Sequence, residues 1–152
     1  MGVPALSLFI CHDAEYEGSA AIRALLLDDD VVDRQMFRRA VEKCGMRIDL
    51  SEVSSLDEFR VAIEAETYHV AFIDLKLGRG SGLDALDLIV AEERPTVTVM
   101  ISGQDDPNLA AAAFRRGCAD YVEKAELSPN VLRRAVTEAL EGRRHGGTFA
   151  SI

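Results

Sequence analysis

From Ile22 onward the chain alternates five times between a short apolar run and an amphipathic stretch, and no other feature constrains its fold as strongly. The apolar runs fall at 22–27, 48–53, 70–73, 97–101 and around Tyr121 and Val122. All are short and several are β-branched, as suits buried strands. Between them, Val32, Met36, Phe37, Ala40, Val41 and Cys44 share one helical face. Leu56, Phe59, Ala62 and Ile63 form a second face, and Leu83, Leu86, Ile89 and Val90 a third. Val131, Leu132, Ala135, Val136, Ala139 and Leu140 form the most regular one. Strands joined by helices run parallel, because each crossover returns the chain to its starting direction. The pattern predicts an α/β fold, a doubly wound five-stranded parallel sheet with helices on both faces.

Capping signals mark the same helices independently. Asp30 precedes the first, with Asp33 three residues on, and Ser55–Glu58 and Ser81–Asp84 have capping-box spacing. Asp106 and Ser128 each stand before a proline at a first helical position, and Gly45 and Gly117 are suitable stops. The first twenty residues lack this order and are broken by Gly2, Pro4, Gly18 and Ser19. Residues 1–20 are therefore expected to be an extension, 21–142 the domain, and 143–152 a tail too short for an output module.

Such sheets bind ligands beyond the carboxyl ends of their strands. Asp28, Asp29 and Asp30 follow the first strand and Asp74 ends the third. Ser102 and Gly103 end the fourth, and the fifth runs into Lys124. Clustered carboxylates repel one another unless a cation compensates them. Magnesium takes octahedral oxygen ligands, commonly one or two carboxylates with waters and phosphate oxygens. Asp28, Asp29 and Asp74 supply the carboxylates, whereas Asp30 is better read as a helix cap. A carboxylate is also a nucleophile toward phosphorus. Asp74 is the candidate because it alone comes from the central strand. The Lys124 ammonium and Ser102 hydroxyl would then neutralise or hydrogen-bond phosphoryl oxygens, and Gly103 leaves room for the group.

Four ordered segments resemble the receiver domain of two-component response regulators, including its stand-alone, chemotaxis-regulator form. They are residues 25–34, with the acidic run and trailing Arg34; 70–82, from Asp74 to Gly82; 99–103, ending in Ser102 and Gly103; and 117–124, with Tyr121 and Lys124. The resemblance covers residues 22–142 and implies a flavodoxin-like (βα)5 fold. It also implies phosphorylation of Asp74 with Mg2+ bound by Asp29 directly, by Asp28 directly or through water, and by the Lys76 main-chain carbonyl. Ser102 would turn toward the phosphoryl group, Tyr121 would follow it inward, and Lys124 would pair with its oxygens. Lys76 and Gln104 lie where receivers tune hydrolysis of the acyl phosphate. The donor would be a histidine kinase or histidine phosphotransfer protein, and the reader a downstream protein. Gly78 stands where the family usually has proline, and Ser102 where many members have threonine. Ala125 replaces the proline that usually follows the lysine, which leaves that peptide free to be trans, since a non-proline cis bond costs ~2.5–4 kcal/mol.

Composition narrows the partners. A net charge of −9 with only 17 Lys and Arg disfavours nucleic acid and anionic membrane surfaces. Cys11, Cys44 and Cys118 form no Cys-x-x-Cys pair, so neither a zinc site nor a disulfide framework is supported, and a cytoplasmic location is expected. Cys44 and Cys118 read as buried small hydrophobes. His12, His69 and His145 share no metal-ligand spacing. No apolar run approaches the ~18 residues that span a bilayer. The alternative reading is a degenerate receiver that acts as a phosphorylation-independent interaction module. A haloacid-dehalogenase-type phosphatase needs an acid two residues after the nucleophile, where Lys76 stands. A flavin site needs a Ser/Thr/Gly loop where three aspartates stand. The Ala-rich fourth helix and regular fifth helix are the candidate surfaces for a homodimer.

Overall fold

Strand β1 (Ile22–Leu27) lies between β2 (Ile48–Val53) and β3 (Val70–Asp74), followed by β4 (Val97–Ser102) and β5 (Asp120–Glu123). The order is β2-β1-β3-β4-β5 and every neighbouring pair is parallel. The helices are α1 (Val31–Lys43), α2 (Leu56–Ala65), α3 (Gly82–Ala91), α4 (Pro107–Arg115) and α5 (Pro129–Arg144). This computed structural model describes residues 21–103 and 106–144. The expected extension 1–20, Gln104 and the tail from 145 lie outside the described residues. The predicted doubly wound α/β architecture is the one found.

The central strands are buried on both faces, as parallel sheets require, and their side chains alternate between two cores. Ala24, Leu26, Phe72, Val99 and Ile101 pack with Phe37, Ala40 and Val41 of α1 and Leu132 and Val136 of α5. Leu25, Leu27, Ala71, Ile73 and Met100 pack on the other side with Phe59 and Ile63 of α2, Ala85, Leu86 and Ile89 of α3, and Ala113 of α4. Cys44 and Cys118 are buried members of these cores, as expected, and both are free. Burial pushes the Cys118 thiol up to about 12, aided by the charge of Asp120, so it stays protonated.

The caps form as their spacing predicts. Asp30 accepts from the N–H groups of Val32 and Asp33, Ser81 and Asp84 make a reciprocal capping box, and Asp106 accepts from Asn108 and Leu109. Gly45 and Gly117, at φ 83° and 110°, reverse the chain after α1 and α4. Among the described residues no helix is long and apolar enough to cross a membrane.

Two helical faces differ from expectation. Val32 and Met36 are each 56% exposed, although the periodicity assigned them to the core of α1. They lie about 100–140° round the helix from Phe37, whereas Asp33, one turn before Phe37, shares its inner face. An acid therefore occupies the place where an apolar residue would have completed the stripe. Val90 on α3 likewise points outward, and Ala85 takes part in the core instead. Helix α5 also continues past Gly142 to Arg144, two residues into the segment expected to be tail.

Candidate functional site

The sheet itself delivers the central acid. Strand β3 continues one residue further than its apolar run, so Asp74 pairs with Ile101 while Leu75 donates its N–H to the Ile101 carbonyl at 2.8 Å. The alternation that sends Phe72 into the α1/α5 core carries the Asp74 side chain toward the same face. Only 3% of Asp74 is exposed, and its Oδ1 accepts from the Lys76 N–H at 3.2 Å.

Asp28 is 1% exposed at the end of β1, with its Oδ1 accepting from the Asp30 N–H at 2.9 Å. Arg34, one turn into α1, donates to the Asp28 main-chain carbonyl at 2.7 Å and fixes the strand end from behind. Asp29 points outward and accepts from the Gly78 N–H through Oδ2. One oxygen from each of Asp28, Asp29 and Asp74 lies within 4.8 Å of the others. The trio expected from the sequence is thus assembled.

Lys124 closes the cluster. Its Nζ lies 2.7 Å from Asp33 Oδ2, 2.9 Å from Asp28 Oδ2 and 3.1 Å from Asp74 Oδ2. Residues 124–126 form a single 3-10 turn and, among the described residues, no peptide is cis, so the Lys124–Ala125 bond is trans. The lysine still reaches the acids from this turn.

The charges tune one another. Burial and then the Asp28 charge raise Asp74 from 3.8 to about 6, against the pull of Lys124 and the Lys76 N–H. Burial works against the charge of Lys124. Hydrogen bonds to Asp33 and Asp28, with the fields of Asp74 and Asp28, outweigh it and hold the ammonium above its ordinary value. A buried carboxylate pair clasping an ammonium is a site already organised around positive charge. Its donors are hard oxygens, which fit magnesium rather than a soft metal.

Ser102 is buried at the end of β4, in register with Glu123. Gly103 is exposed, and among the described residues a Cβ there would meet nothing within 4 Å. Tyr121 is half-buried against the α2–α4 core, in register with Met100. Lys76 opens the loop after β3 and bridges Ser81. Asp28, Asp29, Asp74, Lys76, Ser102, Gly103 and Lys124 therefore gather on one rim, with Tyr121 two residues before the end of β5. Three contributors were missed: Asp33 as a partner of Lys124, Arg34 as a brace for Asp28, and the Gly78 N–H as a partner of Asp29. Asp33 had a signal, its position one turn before Phe37 on the inner face of α1.

The family model for the response regulator receiver domain matches residues 24–137. The acid tolerance regulatory protein ActR of Sinorhizobium medicae is 30% identical over 124 residues, covering 81% of this chain and 63% of that protein. The alginate biosynthesis transcriptional regulatory protein AlgB of Pseudomonas aeruginosa is 29% identical over 122 residues, covering 80% of this chain and 26% of that one. The chain thus spans less than two thirds of the length of either relative. Among solved structures, the receiver domain of NtrX from Brucella abortus superposes with a TM-score of 0.70 at 29% identity, covering 78% of this chain and 98% of that one. A CheY-like response regulator receiver domain protein from Methanospirillum hungatei gives 0.71 at 21% identity, covering 83% and 98%, a likeness of fold.

Proposed function

The chain belongs to the response regulator receiver family, and from that premise we propose that Asp74 is a phosphoacceptor whose modification is read by another protein. The single observation that carries this reading is the convergence of the Lys124 ammonium on the buried carboxylates of Asp74 and Asp28, beside the exposed Asp29. A buried carboxylate would be an unfavourable place for charge unless the charge had a use.

In this reading the ionised Asp74 attacks the phosphorus of a phosphohistidine on a histidine kinase or phosphotransfer protein. An O–P bond forms and the N–P bond breaks, its electron pair staying on the imidazole nitrogen, which then takes up a proton. Asp28, Asp29, Asp74 and the Lys76 main-chain carbonyl are the proposed holders of Mg2+. The bound ion would offset negative charge on the transferring oxygens. Lys124 would pair with one phosphoryl oxygen, and the Ser102 hydroxyl would donate to another from β4. Gly103, where no side chain intrudes, would leave room for the group. Tyr121, half-buried next to β4, would follow Ser102 inward and alter the α4–β5–α5 face, a shift between two populations.

The net charge of −9 supports protein contacts over nucleic acid or membrane for this domain, which we take to act in the cytoplasm. The half-exposed Phe114 on α4 offers an apolar contact for a downstream partner or for a second copy through α4 and α5. Incubation with acetyl phosphate or phosphoramidate and Mg2+ tests the central step. A base-labile phosphoryl adduct is expected on wild type, absent from Asp74→Asn and strongly reduced in Asp29→Ala. No adduct on wild type would leave a phosphorylation-independent interaction module as the better reading.

A further inference from the structure

Asp33 makes the shortest of the three carboxylate contacts to Lys124, 2.7 Å, although the phosphoacceptor reading gives it no part. We propose that Asp33 is a positioning residue that draws the Lys124 ammonium toward the rim and frees Asp28 and Asp74 to hold magnesium. The inference rests on the reading of the preceding section, and it adds a control on metal occupancy at the same site.

An ammonium and a divalent cation compete for the same carboxylates. Lys124 contacts Oδ2 of both Asp28 and Asp74, so an ion entering the cluster must share their negative charge with the ammonium or displace it. The displaced ammonium needs another acceptor, because a half-buried charge without a partner is costly. Asp33 provides one on the solvent side. Its side chain is 34% exposed, against 2% for Asp28 and 5% for Asp74, and that of Lys124 is 21% exposed. An ammonium leaning on Asp33 therefore moves outward, away from the buried pair.

The backbone holds Asp33 in position for this. Its N–H donates to the Asp30 cap at 3.2 Å, and one turn later Phe37, 1% exposed, anchors the helix in the core. Two simpler roles compete. An acid in the first turn favours the helix dipole, which would affect stability alone. An added negative charge also attracts any cation through space, which would affect magnesium whether or not Lys124 is present.

A double-mutant cycle on magnesium affinity separates these roles. The dissociation constant is measured on the whole chain by MgCl2 titration, followed through backbone amide NMR shifts. Asp33→Asn should weaken binding about 3- to 10-fold, and Asp33→Glu, which keeps the charge, should restore it to within about twofold. Lys124→Ala should tighten binding, and in that background Asp33→Asn should have less than about a twofold effect. An unchanged constant in Asp33→Asn overturns the proposal. So does an equal weakening with and without Lys124, or failure of Asp33→Glu to restore binding. Wild type without saturable magnesium binding would overturn the phosphoacceptor reading itself and this inference with it. Wild type that binds while the cycle shows no coupling overturns only the role of Asp33.

Discussion

The Gly78 N–H donates to Asp29 Oδ2 across 49 positions of sequence, tying the loop after β3 to the end of β1. Asp29 is the exposed member of the acidic trio, and among the described residues Lys124 pairs with Asp28 and Asp74 rather than with it. The hydrogen bond sets which way its carboxylate faces. A Cβ on residue 78 would stand 2.8 Å from that same oxygen, so alanine would push the carboxylate aside while keeping the N–H. Gly78→Ala should weaken Mg2+ binding several-fold, yet shift the urea unfolding free energy by no more than ~1 kcal/mol, since the contact lies at the surface. Unchanged Mg2+ affinity would show that Asp29 needs no such orientation.

Gly82 is a separate case, because its neighbours are backbone. A Cβ there would overlap the Asp74 carbonyl oxygen and lie 2.8 Å from the Leu75 Cα. Replacing glycine by alanine in a helix ordinarily gains up to ~1 kcal/mol. Here the sign should reverse, with Gly82→Ala costing ~1–3 kcal/mol as α3 and the end of β3 are forced apart. Equilibrium urea unfolding measures this, and a neutral or stabilising result would mean that the helix start moves freely relative to Asp74.

The pH dependence of stability follows from Asp74. Its folded value of about 6 lies above its ordinary 3.8, chiefly because of burial and the neighbouring Asp28. The fold therefore favours the protonated form, and that contribution is complete below pH ~4 and lost as pH rises through ~6. Asp74→Asn cannot ionise and avoids the loss. In EDTA the two proteins should unfold alike near pH 4, with Asp74→Asn more stable at pH 7.5 by ~1–2 kcal/mol after solvent screening. Saturating Mg2+ should stabilise wild type more than the variant, because a bound cation favours ionised Asp74. A difference between the two proteins that does not vary with pH would contradict this account.

The fold was legible because each strand and helix announces itself in its own residues. Residues 22–27 and 48–53 match β1 and β2 to the residue, and the caps at Asp30, Ser81 and Asp106 open helices as their spacing requires. The acidic trio was legible too, because strand ends in a parallel sheet converge on one rim. What escaped were relations between elements. The Asp33–Lys124 pair spans 91 residues and the Gly78–Asp29 bond 49, and no local periodicity carries either. The strand ends at Asp74 and Ser102 were legible as well, although the apolar runs stop one residue short of each. Asp74 and Ser102 are polar, and ladder pairing to Ile101 and Glu123 extends the strands through them.

The misassigned face of α1 leads to the final prediction. Val31, Val32 and Met36 expose apolar surface on the helix that also carries Asp30 and Asp33, next to the acidic rim. Because Val32 and Met36 face solvent, Val32→Ser and Met36→Ser should each alter unfolding free energy by only ~0.5 kcal/mol. On the proposed function, a donor protein presenting phosphohistidine to Asp74 would approach over this rim, and apolar surface there would become buried on docking. Both variants should therefore accept phosphate from acetyl phosphate at the wild-type rate. Transfer from the partner kinase identified by phosphotransfer profiling should slow by about tenfold, ~1.4 kcal/mol of lost docking. Equal losses with both donors would mean the substitutions disturb the site itself. Equal rates with both would mean the donor approaches by another face.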